Sequence, residues 1–400
     1  MRFSALDGWR GLCALMVCIF HFNSATRWAP GDNAFAHGGY LFVDFFFVLS
    51  GFVITHSYAK RIHNRGQLGR FMLRRFGRVW PLHAAILAAW VALEIAALAA
   101  RPFVGHFEVQ EPFTGNNSPA ALLSNILLLQ ALGLHRALTW NGPSWSISAE
   151  FWTYLVFGLF CLMPLRKPAT ATLLAGLLAA GGAIVVTLFC PRYIDATYDF
   201  GFFRCVYGFF LGHLVYRLRA SETGGGKAGP GRAGMLAARY GSLFEFGTVI
   251  LVVLFVALAQ HAASSLAAPI VFAFVVYLFS FESGQLSRLF CGPPFRQFGR
   301  WSYSIYMVHA LILQILVYAV RALERLTDLP LRAMATVNGN TYSVIAFDSD
   351  LAMSALCAAF VAMVIATASQ TYRFVEEPSR LYFNALAHGG PHPTRAKIAE

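Results

Sequence analysis

Ten apolar runs of membrane-spanning length divide this chain, at about 8–24, 40–58, 80–100, 146–164, 170–190, 200–217, 245–261, 266–282, 302–322 and 350–374. A hydrocarbon layer about 30 Å thick takes roughly 20 helical residues. Backbone in lipid must satisfy its own hydrogen bonds, so such runs fold as helices. The chain is 57% hydrophobic and only 12% charged, where soluble domains carry about 25% charged residues. The pattern predicts an all-α fold, a polytopic membrane helix bundle of about ten transmembrane helices. Segment 119–134 is apolar but short and contains Ser124, Asn125 and Gln130. It reads as a re-entrant or interfacial helix. No internal repeat is visible, which argues against a transporter built from inverted halves.

Charge sets the orientation. With the N-terminus in the cytoplasm, the great majority of the 31 basic residues fall on inner segments, among them the run from Lys60 to Arg78. Short cytoplasmic loops carry such an excess, so both termini are expected to be cytoplasmic. The net charge of +12 is then a topology signal and calls for no nucleic-acid partner. Arg10 interrupts the first apolar run and no small-residue cleavage site comes after it, so a retained first helix is expected rather than a signal peptide. Cys13, Cys18, Cys161, Cys205 and Cys357 lie in apolar runs without pairing or metal spacing. They read as small buried hydrophobes, and no metal site is expected.

The organisation is one membrane domain, 1–382, and a tail, 383–400, expected to be cytoplasmic and disordered. A Gly-rich stretch at 221–234 reads as a flexible inner linker between six helices and four. The outer connection 101–145 is long enough to cover a site. The outer loop 323–349 holds the turn signal Asn338-Gly339-Asn340.

The chemistry-bearing residues fall in three places. Arg10 and His21 bracket ten residues of the first run. In a helix they lie about 16 Å apart on one face. Ionisable groups at membrane depth usually face a cavity and do chemistry or transport; the alternative is headgroup anchoring at the two interfaces. On the expected outer side, Asp44 lies among Phe42, Phe45, Phe46 and Phe47, and Glu150 comes after Ser144-Trp145-Ser146-Ile147-Ser148-Ala149. A buried acid needs a partner, and a histidine held by a carboxylate is a natural general base. Each acid could instead cap its own helix. On the inner side, the spacing of Arg74, Arg75 and Arg78 sets one of the first two beside the third on a helical face. Guanidinium forks suit phosphate oxygens; plain positive-inside anchoring is the other reading. Glu94 and His309 are further polar residues inside runs, and His309 reads equally as a packing or a catalytic residue.

Several motifs together resemble the acyltransferase-3 family of membrane O-acyltransferases. Leu6-Asp7-Gly8-Trp9-Arg10-Gly11 through His21 is similar to its arginine–ten residues–histidine motif. Phe45-Phe46-Phe47-Val48-Leu49-Ser50-Gly51-Phe52 and Ser144-Trp145-Ser146-Ile147-Ser148-Ala149-Glu150 resemble its next two signatures. The segments 74–81, 298–306 and Phe374-Val375-Glu376-Glu377-Pro378 resemble the remainder. The resemblance covers nearly the whole chain and is to the stand-alone form, without a C-terminal hydrolase-like domain. It implies an O-acyltransferase moving an acyl group, acetyl foremost, from cytoplasmic acyl-CoA to a hydroxyl of a glycan such as an exopolysaccharide or O-antigen. It implies a place in the bacterial inner membrane, lipid contact, acyl-CoA as co-substrate and no bound cofactor. His21, neutral, is then the general base; Arg10, Glu150 and Asp44 complete the catalytic set. Arg74, Arg75, Arg78, Arg300 and Ser50 form the donor-binding set. A proton-coupled transporter or flippase of a lipid-linked sugar is the competing reading, and a non-catalytic acyl-CoA sensor a third.

Overall fold

The computed structural model describes residues 3–104, 111–164, 167–222, 231–260, 262–337 and 340–389. The core of the expected linker (223–230), the turn at Asn338-Gly339 and the tail beyond 389 lie outside the described residues. Helix α1 covers Ser4–Ala25, α2 is a single turn at Ala34–His37, and α3 spans Phe42–Tyr58. Then come α4 (Arg65–Val104), α5 (Pro119–Ile126), α6 (Trp145–Leu162), α7 (Pro168–Phe189) and α8 (Gly201–Glu222). The second half holds α9 (Arg232–Ala259), α10 (Ala268–Phe279), the short α11 (Gln285–Phe290), α12 (Pro293–Thr327), α13 (Asp350–Thr371) and α14 (Glu377–His388).

Every expected apolar run is a helix. Among the described residues, eight helical segments are long and apolar enough to cross a membrane. The other two expected spans are α8, which carries Arg204, Arg217 and Arg219, and the 12-residue α10. The chain is therefore an integral membrane helix bundle.

Several boundaries differ from expectation. Helix α9 begins at Arg232, ahead of the apolar run at 245, and α8 ends at Glu222, so both ends of the expected linker are helical. Helix α12 likewise begins at Pro293, ahead of the run at 302. Helix α4 starts at Arg65, well before the apolar run at 80. The basic stretch ahead of that run is helical because Phe71 and Val79 bury one of its faces. At the other end of the chain, α14 runs to His388, so residues 383–388 belong to the fold and not to a disordered tail. Ala387 is buried there, and the Phe383 ring meets Phe76 of α4 at 5.7 Å. The apolar stretch 119–134 is helical only to Ile126. Leu128 then takes a positive φ of 56°, and its carbonyl accepts from Ser148 Oγ (2.6 Å) and Trp152 Nε1 (2.7 Å) of α6. The loop after α12 holds a hairpin, β1 (Arg332–Val337) paired antiparallel with β2 (Asn340–Ile345). It is tied to the end of α1 by the Arg27 amide, which donates to Ile345 O at 2.8 Å.

Two crossings position the site. Helix α1 lies against α12, where a Cβ on Gly299 would overlap the Asp7 carbonyl. Helix α3 lies against α8 through two small residues: a Cβ on Gly51 would overlap the Phe209 carbonyl, and one on Gly212 the Val48 carbonyl. Small residues let membrane helices approach closely where no hydrophobic effect drives them together. Gly51→Ala should push α3 off α8 at a cost of about 1–3 kcal/mol, the usual range for overpacking. A lower melting temperature of the detergent-purified protein would show it; an unchanged one would mean the crossing is slack.

Candidate active site

A cavity of about 410 Å³ runs between α1, α3, α4, α6 and α12. At one end it is lined by Phe3, Asp7, Arg10 and His56. Its middle is lined by Ser50, Arg75, Arg78, Glu150, Tyr154 and Tyr303, and its far end by Phe46, Ser146 and Tyr306. The helix directions fix that order. Helix α12 runs from Tyr303 to Tyr306 toward the far end, and α3 runs back from Phe46 to His56.

The arginines are held differently. Arg10 pairs with Asp7 one turn back, at 3.3 Å. Arg78 Nη1 donates to the buried Glu376 carboxylate, and its guanidinium lies over the Tyr303 ring at 5.5 Å. Arg75 lies over the Tyr58 and Tyr154 rings, at 5.3 and 5.8 Å, and Nη2 reaches Tyr58 Oη at 3.4 Å. Arg75 and Arg78 are three residues apart and share the cavity face. Arg74, one residue earlier, is turned about 100° away. It donates to His388 Nε2 of α14 at 3.2 Å and is absent from the cavity lining. Arg300 is exposed on α12, beside Gly299 on the inward face. The expected donor set therefore divides: Arg75, Arg78 and Ser50 line the cavity, and Arg74 and Arg300 do not.

The catalytic set divides as well. His21 and His309 lie beyond the far end of the cavity, past Tyr306. His309 Nε2 is 3.3 Å from His21 Nδ1, and the rings are 4.8 Å apart. Tyr306, one turn before His309, has its ring 5.7 Å from the His309 ring. His21 Nδ1 is 2.9 Å from the Val17 carbonyl. A carbonyl only accepts, so we assign the His21 proton to Nδ1, which leaves the lone pair on Nε2. The carboxylate expected beside His21 is not there. Asp44 is spent on Arg204 of α8, through Nη2–Oδ2 at 2.7 Å and Nε–Oδ1 at 3.0 Å, with both side chains almost fully buried. Arg204 also donates to Ala196 O and Tyr40 O and lies over the Trp145 ring at 5.4 Å. Asp44 sits in the first turn of α3, but its carboxylate is committed to this pair. Glu150 lies past the first turn of α6, so it caps no helix, and it lines the middle of the cavity beside Tyr154. Ser50 Oγ meets Tyr154 Oη at 3.2 Å.

Tyr306 closes the cavity toward the histidines. Its hydroxyl donates to Pro143 O (2.9 Å) and accepts from Ser146 Oγ (2.8 Å). The neighbouring Asn141 Nδ2 donates to Met307 O at 3.1 Å. The turn before α6 is thereby pinned to α12 beside the histidine pair. Sequence reasoning gave Tyr306, Tyr154 and Glu376 no role, although each lies in or beside a segment it had singled out. Their partners are far away in the chain, and no local spacing shows them.

A helical membrane bundle whose guanidinium-lined cavity ends beside a histidine pair, with His309 buried and His21 half-buried, defines a class: a membrane-embedded group-transfer enzyme. The family model described as an acyltransferase domain matches residues 3–369, and the chain belongs to that family, the acyltransferase-3 membrane O-acyltransferases. Among relatives, it is 34% identical over 154 residues to "Protein 2 in picA locus" of Rhizobium radiobacter, covering 37% of this chain and 77% of that one. It is 29% identical over 177 residues to "Acyltransferase MdmB" of Streptomyces mycarofaciens, covering 42% and 41%. It is 25% identical over 326 residues to "Peptidoglycan O-acetyltransferase OatA" of Listeria monocytogenes, covering 76% and 48%. The matched regions span under half the length of the last two relatives. No solved structure matches.

Proposed function

We propose that this protein transfers an acyl group, acetyl foremost, from acyl-CoA to a hydroxyl of a glycan. One observation carries the reading: a single cavity joins the Arg75 and Arg78 guanidiniums to Tyr306, whose ring adjoins the His21–His309 pair. The donor enters at the Arg10 end with its phosphates toward the arginines and its thioester toward the histidines. At the junction, His21 Nε2 takes the proton of the acceptor hydroxyl as its oxygen attacks the thioester carbonyl. The C–S bond then breaks, and the CoA thiolate recovers the proton from the histidinium. Proton transfer by a placed base contributes about 10²–10⁴ in rate. A glycan acceptor is supported by the similarity to the Listeria peptidoglycan O-acetyltransferase.

The basic end faces the cytoplasm of a bacterial inner membrane in this reading, with both termini inside. Cysteines placed at Asn117 and Ser221 should then react with an impermeant maleimide from opposite sides. Labelling of both from one side would sink the orientation.

The donor reading is tested at Arg75. Arg75→Gln should raise the KM for acetyl-CoA roughly ten- to hundred-fold with kcat little changed, the usual loss for one charge-assisted contact. An unchanged KM with less protein in the membrane would make Arg75 a topology anchor. Purified protein that binds no acetyl-CoA at all would favour the transporter reading.

A further inference from the structure

Glu376 and Glu377 are adjacent, yet their side chains have opposite fates. Residues Tyr372–Glu376 form a π-helical turn between α13 and α14. Such a turn inserts one residue into the helical register and rotates the next helix by roughly a quarter turn. Glu377 faces outward and bonds Tyr372 Oη and Arg380 Nη2, both at 2.6 Å. Glu376 is turned inward and is 2% exposed. Its Oε2 accepts from Ser304 Oγ of α12 at 2.6 Å, and its Oε1 takes Arg78 Nη1 of α4. Pro378 stands near the start of α14, where a missing N–H costs nothing. The π turn thus delivers one carboxylate into the bundle, and that carboxylate is fully committed.

The commitment changes what Arg78 can do. A guanidinium carries five N–H donors in a planar fork. Glu376 takes one edge and Tyr303 covers a face, while the side chain still lines the middle of the cavity. Paired with a buried carboxylate, Arg78 adds little net charge there; Arg75 has the Tyr58 and Tyr154 rings as neighbours and keeps its charge. A neutralised, clamped fork suits a neutral carbonyl oxygen better than a phosphate.

We propose that Glu376 is a positioning residue for donor recognition: it holds Arg78 so that its remaining N–H groups meet a carbonyl oxygen of the donor's pantetheine–thioester arm. The phosphates fall to Arg75. This rests on the acyl-CoA reading above.

A double-mutant cycle tests it in purified full-length protein. Glu376→Gln should raise the KM for acetyl-CoA roughly ten-fold. Inhibition by 3′,5′-ADP, which has no pantetheine arm, should be unchanged. Adding Glu376→Gln to Arg78→Gln should raise the KM no further. Ser304→Ala, which removes only one hydrogen bond to Glu376, should give a smaller shift of the same kind and covers the case in which Glu376→Gln fails to fold. Multiplying effects of Arg78→Gln and Glu376→Gln, or weaker 3′,5′-ADP inhibition in Glu376→Gln, would overturn the proposal. Phenylglyoxal modification of Arg78, mapped by mass spectrometry, separates this from the donor reading. Arg78 should react faster in Glu376→Gln, or in Ser304→Ala, than in the parent. Equal rates overturn the positioning role whatever the donor proves to be, and a parent protein that ignores acetyl-CoA overturns only the donor reading.

Discussion

His21→Gln should lose about 10² or more in kcat while acetyl-CoA binding is largely kept. The geometry explains why glutamine is the informative change. His21 Nδ1–H is held by the Val17 carbonyl, so the nitrogen with the lone pair is Nε2. Glutamine can keep a hydrogen bond to Val17 but offers no base near neutral pH. The cavity arginines that would hold the donor are untouched, because His21 lies outside the cavity lining. The same assignment sets the pH dependence. A histidine that acts as a base works as neutral imidazole, so turnover should rise with pH through the His21 titration and level off above it. Acidification should remove activity without releasing the donor. Steady-state kinetics on purified protein with a defined acceptor decides this. Near-parental turnover of His21→Gln would remove the base assignment and turn attention to His309, whose Nε2 is 3.3 Å from His21 Nδ1.

The helices were legible in the sequence because lipid imposes a local rule: each span must be apolar along its own length. That rule found α3, α7 and α13 within a few residues. It failed where a helix leaves the apolar layer but stays packed, as in the basic first turns of α4 and in α14 past residue 382. The site was legible where one helix carries both ends of it, as α1 carries Arg10 and His21. Spacing set either Arg74 or Arg75 beside Arg78 on one helical face, and only the packed bundle selects Arg75 for the cavity. Spacing could not say what Asp44 or Glu376 touches, because Arg204 is 160 residues from Asp44 and Glu376 is 298 from Arg78. A buried acid announces that it needs a partner, but the identity of that partner is a property of the packed bundle.

Asp44 supplies the second large effect, and it falls on stability. With Asp44→Ala, the Arg204 side chain, 1% exposed, keeps its charge and loses both carboxylate bonds. The remaining acceptors, the Ala196 and Tyr40 carbonyls at 3.3 Å, are neutral. Breaking a buried pair on one side costs about 3–5 kcal/mol, against a whole-protein stability on the order of 5–15 kcal/mol. Asp44→Ala should therefore give little folded protein, read as loss of the monodisperse peak in detergent. Asp44→Ala combined with Arg204→Met removes both charges together, and replacing a buried pair by apolar side chains is often neutral or better. The double variant should recover the folded peak and most of the turnover. That recovery separates the two roles open to Asp44, because a scaffold pair can be replaced by hydrocarbon and a catalytic carboxylate cannot. A double variant that folds but stays about 10²-fold down in kcat would mean that Asp44 serves the reaction despite its bonds to Arg204.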